Sequence, residues 1–219
     1  MFTAPPPEDS IPLNNQKETI NGNQKQNMAR TNFELIRKHV YTSLKALSPQ
    51  LVYHKIDHTR DVLKQTEKIA LREKVSEHEL YLLKVAALYH DTGFLQLYVG
   101  HEEVSCHIFL RDAEKFGFDK AEQEKIVGMI RATHVPQQPK NHLENILCDA
   151  DLDYLGRQDF TAHSELLKRE FLYFGLVENE EQWLVKQQEF LLNHEFHTET
   201  SKLLRSPMKK QNMELKHTA

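Results

Sequence analysis

Tyr81-Leu-Leu-Lys-Val-Ala-Ala-Leu-Tyr89 is almost unbroken in apolar residues and ends in His90-Asp91. Ser76 and Glu79 precede it in the spacing of a capping box, in which each side chain satisfies a free backbone N–H of the first helical turn. Leu80, Leu82, Leu83, Val85, Ala86, Ala87 and Leu88 cover nearly the whole circumference of the helix that follows. A helix apolar all round sits at the centre of a domain rather than on its surface. Thr92-Gly93 interrupts it, which leaves an imidazole and a carboxylate at the end of a buried helix.

Outward from this segment the pattern stays helical. Thr31 and Glu34 open a helix with Phe33, Ile36, Val40, Leu44 and Leu47 inward, and Ser48-Pro49 ends it. A second helix follows His58 and runs to about Glu73. A fourth is expected from Glu102 to Phe116, with Gly117 as its C-terminal cap. Asp119 with Glu122 and Asn141 with Glu144 open a fifth and a sixth. Further helices fall near 159–174, 179–196 and 198–204. No alternating strand pattern appears, so the expected fold is all-α, a compact single-domain helical bundle.

The 219 residues comprise 28 Lys and Arg against 32 Asp and Glu, a net charge of −4. That balance carries no electrostatic footprint for nucleic acid. No stretch is long and apolar enough for a membrane span, and no signal segment follows the start, so a cytoplasmic setting is the expectation. Residues 1–30 read as a disordered polar tail, 31–205 as the domain, and 206–219 as a polar flexible tail. Cys106 and Cys148 fall in apolar helical contexts and read as small buried hydrophobes.

A His-Asp dipeptide alone is a weak motif. Its weight comes from His58 upstream and from Ala150-Asp151-Leu152 downstream, which together make an N/O ligand set for a divalent cation. His54 and His58 are four apart, so both rings share a face if that segment is helical. Asp149, Asp151 and Asp153 alternate, but the glycine that a calcium loop needs is missing.

These residues resemble the HD-domain phosphohydrolase superfamily over roughly residues 31–175. Tyr53-His54-Lys-Ile-Asp-His58, closed by Val62, is also similar to the opening of the cyclic-nucleotide phosphodiesterase catalytic domain. The resemblance implies an HD-type bundle in which His58, His90, Asp91 and Asp151 coordinate a divalent metal: manganese, magnesium, zinc, iron or cobalt. It further implies hydrolysis of a small phosphorylated substrate, a nucleotide or another phosphoester, through metal-activated water. Asp91 would orient that water and His54 would act as general acid. His101 and His134 would complete a second metal site or meet a substrate phosphate. Two other classes stay open: a non-catalytic helical module that binds a metal, a nucleotide or a partner, and a two-iron oxygenase on the same scaffold. Lys55, Lys84 and Arg131 read as solvated cations, and the remaining histidines as structural or surface residues. Oligomeric state is not legible.

Overall fold

The computed structural model describes residues 31–217, with side chains through Glu214. Among the described residues there are helices, turns and bends and no strand. The expectation for residues 1–30 lies outside them. In chain order come α1 (31–44), α2 (Ile56–Arg72), α3 (Glu77–Tyr89), a 3-10 turn (Thr92–Leu95), α4 (His101–Ala113), α5 (Lys120–Ala132) and α6 (His142–Asp151). A second 3-10 turn (Asp153–Gly156), α7 (Phe160–Tyr173), α8 (Glu180–Asn193) and α9 (Glu199–His217) complete the bundle.

The centre is α3, packed against α2, α4, α5 and α6. Leu82, Leu83, Val85, Ala86, Ala87 and Leu88 are wholly inaccessible to solvent. Burial of each Leu or Val here contributes about 1.5–3 kcal/mol, so this helix has one stable position, and with it His90 and Asp91. Two of the expected helix-opening pairs form capping boxes: Ser76 accepts from Glu79 N and Asp119 accepts from Glu122 N, with the glutamates bonding back. Asn141 accepts from the backbone N–H of Leu143 and Glu144 and opens α6. A second, smaller core gathers Tyr53, Tyr154, Leu155, Phe160, Leu191 and Phe196 beneath α7, α8 and α9.

Three boundaries differ from the sequence reading. The second helix starts before His58, at Ile56, because Lys55 rather than a later residue takes the N-cap position. The fourth helix starts at His101 and ends at Ala113, and Gly117 closes the following turn at φ 75°. The third difference is the largest. Ser206 does not begin a flexible tail: α9 continues through Pro207 to His217. An internal proline costs a helix about 3 kcal/mol, and tertiary contacts offset it. Arg205 Nε donates to Asp153 Oδ1 at 2.6 Å, and the buried Asn212 donates to the carbonyls of Leu155 (2.9 Å) and Arg157 (3.0 Å).

Candidate metal centre

His58 comes from the first turn of α2, His90 is the C-cap of α3, Asp91 follows it, and Asp151 ends α6. The core that joins α2, α3 and α6 therefore brings these groups together. His58 Nε2 lies 3.1 Å from Asp151 Oδ1, 3.3 Å from Asp91 Oδ2 and 3.4 Å from His90 Nε2. His90 Nε2 lies 3.2 Å from Asp91 Oδ2 and 3.4 Å from Asp151 Oδ1. Single ligand atoms of His58, His90 and Asp151 all fall within 4.8 Å of one another, a group that could hold a metal ion. Donors at metal–ligand distances of about 2.0–2.2 Å stand roughly 3.0–3.5 Å apart when adjacent, which matches these separations.

Two further observations fit a cation. Asp91 Oδ2 is buried and accepts no hydrogen bond. His90 Nδ1 faces the carbonyl of Ala87 at 2.9 Å, which assigns the ring proton to Nδ1 and leaves the Nε2 lone pair for the cluster. The electrostatics agree. Burial alone would push the imidazoles down, yet the carboxylates of Asp151 and Asp91 raise His58 to about 9 and His90 well above its usual value. Burial would likewise raise the carboxyls, but the two rings hold Asp151 down at about 2, and His90, His101 and His58 hold Asp91 well below the usual range. The carboxylates attract positive charge strongly, and a divalent cation competes with protons for that place.

The other oxygen of Asp91 faces outward: Oδ1 lies 3.3 Å from His101 Nε2. His101 Nδ1 is taken up by the carbonyl of Tyr98 at 2.9 Å, so again Nε2 is the free nitrogen. Gly93 makes this approach possible, since a Cβ there would stand 1.9 Å from the carbonyl oxygen of His101. His134 does not join the four; it is largely exposed and meets Glu102 Oε1 through Nδ1 at 3.0 Å. Glu102 is thus a buried partner of His134 as well as a carboxylate in the first turn of α4.

His54 is not on the helical face expected from its spacing to His58, because it precedes the α2 N-cap. Its ring nevertheless meets the site edge-on, with centroids 5.6 Å from His58, and stacks on Phe94 at 4.4 Å. Phe94 in turn stacks on His101 at 3.8 Å. What holds His54 was not found in the sequence. Glu170, wholly buried on α7, meets His54 Nδ1 through Oε2 at 2.7 Å and accepts from the backbone N–H of His54 at 2.9 Å and from that of Tyr53. Tyr98 donates to Glu170 Oε2 at 3.2 Å. Burial would raise the Glu170 carboxyl, but the bonds from His54 and Tyr53 hold it below its usual value.

The remaining sequence candidates are structural. Asp149 is buried and accepts from His197 N, Thr198 N and Thr198 Oγ1, fixing the start of α9. Asp153 binds Arg157 and Arg205, Lys84 pairs with Glu67, and Arg131 with Glu103. Cys106 and Cys148 are buried, and burial raises both thiols.

A cluster of imidazoles and carboxylates that could hold a metal ion thus lies where three core helices meet. The family model for the HD domain matches residues 56–153, which span all four of these groups. A predicted HD superfamily hydrolase from an uncultured Thermotogales bacterium has a crystal structure similar to this one. Its TM-score is 0.57 at 23% identity, with 84% of this chain and 89% of that chain covered, a likeness of fold. No curated protein matches the chain. Among the described residues no helix is long and apolar enough to cross a membrane.

Proposed function

We propose that this protein is a metal-dependent phosphohydrolase of a small phosphoester, with His58, His90, Asp91 and Asp151 as ligands of a divalent cation. The observation that carries this reading is the convergence of two imidazole Nε2 atoms on the buried Asp91 and half-buried Asp151 carboxylates at 3.1–3.4 Å. A divalent cation in such a site supplies Lewis acidity toward a phosphoryl oxygen and makes bound water acidic.

The protein groups supply the rest. Asp91 and Asp151 accept hydrogen bonds from water at the cluster and aim it. His101, 3.3 Å from Asp91 Oδ1, faces the open side, where it meets a phosphoryl oxygen or, with Asp91, Glu102 and His134, a second cation. His54, held by Glu170 through Nδ1, keeps Nε2 for the leaving oxygen and donates the proton that oxygen needs. A cavity of about 300 Å³ opens beside these groups, lined by Asp91, Asp151, His54 and His101 at one end and by aromatic residues beyond. It is within the size range of small-molecule sites, near the small end.

The test is phosphate release from a panel of phosphoesters by the purified chain, before and after chelation, with manganese, magnesium or zinc restored. Turnover that chelation abolishes and that Asp91→Ala lacks supports the hydrolase. Metal binding with no turnover on any phosphoester favours the alternative, a helical module in which the metal braces the fold.

A further inference from the structure

α9 begins at Glu199, well past residue 153, where the match to the HD family model ends. It nevertheless holds the chain on both sides of Asp151. On the near side, Asp149 of α6 is wholly inaccessible to solvent. It accepts from the residues that open α9: His197 N at 2.8 Å, Thr198 N at 2.8 Å and Thr198 Oγ1 at 2.7 Å. Thr198 Oγ1 also accepts from Ser201 N at 3.1 Å, so one hydroxyl caps α9 and ties it to α6. On the far side, the chain passes through Leu152 into the 3-10 turn Asp153–Gly156, and that turn packs chiefly on α9. Arg205 Nε donates to Asp153 Oδ1 at 2.6 Å, and Asn212 Nδ2 donates to the carbonyls of Leu155 at 2.9 Å and Arg157 at 3.0 Å. A Cβ on Gly156 would meet the backbone of Arg205, so turn and helix touch main chain to main chain.

The four cluster residues are not held alike. His58 lies on α2, and His90 and Asp91 close α3; these two helices pack directly on each other, and the three side chains are at most 8% exposed. Asp151 is the last residue of α6, and its side chain is 15% exposed. Ile146, Leu147 and Ala150 fix the axis of α6 in the core. The direction in which the chain leaves the helix after Asp151 is set by the turn, and hence by α9. Helix ends fray, whereas metal–ligand distances hold to within about 0.2 Å. A ligand on a helix end therefore needs a partner outside its helix. We propose, on the reading that Asp151 is a metal ligand, that α9 belongs to the metal site and positions Asp151 by clamping the chain before and after it. Thr198 and Asn212 are then positioning residues, acting on Asp151 through Asp149 and through the carbonyls of Leu155 and Arg157. Groups that orient a metal ligand change metal affinity by about 10–100-fold, and the low end is expected for partners that act through the backbone.

Manganese affinity of the chelator-stripped full chain, titrated at a temperature at which every variant is folded, separates positioning from stability. Thr198→Val removes the hydroxyl and keeps the shape, Thr198→Ser keeps the hydroxyl, and Asn212→Ala releases the turn. Asp119→Ala is the control for stability: it removes the cap of α5, at the end of that helix remote from His134. The expected result is manganese binding at least fivefold weaker in Thr198→Val and in Asn212→Ala, within twofold of wild type in Thr198→Ser, and unchanged in Asp119→Ala despite its lower melting temperature. If one of the two α9 variants fails to fold, the other decides. Wild-type affinity in either folded α9 variant, or an equal loss in Asp119→Ala, overturns the positioning role and leaves the metal site standing. A wild-type chain that binds no manganese overturns the metal reading, and the positioning role with it.

Discussion

Glu170 Oε2 lies 2.7 Å from His54 Nδ1, across 116 positions of sequence, with the glutamate wholly inaccessible to solvent. A buried carboxylate on one ring nitrogen fixes the orientation of the imidazole and directs its other nitrogen to the cavity. Glu170 acts through His54 and is a positioning residue. Glu170→Gln is expected to lower kcat by about 10–100-fold, as for other groups that orient a site histidine, with metal content unchanged. Unaltered kcat in a folded variant would remove Glu170 from the account.

His54 itself carries the proton in this scheme. His54→Ala should cost about 10²–10⁴ in kcat on esters with poor leaving groups. The loss should shrink on p-nitrophenyl esters, whose leaving oxygen needs no proton. An equal loss on both kinds of ester would contradict the general-acid role.

Gly93 allows the 3-10 turn after Asp91 to lie against the start of α4. Any Cβ there meets backbone, 1.9 Å from His101 O and 2.7 Å from His101 C, so the helix start must move. Gly93→Ala should lower stability by about 1–3 kcal/mol and displace His101 from Asp91. A thermal melt and a crystal structure of the variant check both effects.

The C-terminal helix makes a similar demand. Truncation before Ser206 removes Asn212 from the carbonyls of Leu155, in a buried bond, and Arg157, in a part-buried one, and an acceptor left buried and unpaired costs about 1–3 kcal/mol. The truncated chain should melt well below the full chain. Equal melting temperatures would return residues 206–217 to the status of a tail.

Acid should destabilise the protein through His194. Burial, then Lys209 and His197, hold its imidazole at about 3, against the usual value of 6.5. A depressed folded-state value means the ring is neutral when folded and takes up a proton on unfolding. Its contribution is present above pH 6.5 and is lost as pH falls toward 3, by up to about 1.4 kcal/mol per pH unit. His194→Phe should flatten the decline of denaturant midpoint across that window; an unchanged slope would refute the assignment.

Much of the fold was legible because its signals are local. The capping residues Ser76, Asp119 and Asn141 lie within three positions of the groups they satisfy, and the all-round apolar α3 announces its own burial. His58, His90, Asp91 and Asp151 were legible as a set of ligand types, and their meeting follows from core packing. Glu170 was not, since its partners lie on a distant segment. The available signal was a carboxylate three positions from Leu167, on the stripe that buries Phe160 and Ser164. The length of α9 was also hidden: Pro207 and a polar composition argue for a stop, and only tertiary bonds to Asn212 and Arg205 reverse that.

The central claim is that the cluster binds a divalent metal through these side chains. Elemental analysis of the full chain as purified, beside Asp151→Ala purified in the same way, tests it most directly. The account predicts at least one equivalent of divalent metal per wild-type chain and a loss of at least tenfold in a folded Asp151→Ala. Equal metal content in the two proteins, or none in the wild type even after manganese or zinc is added, would contradict it.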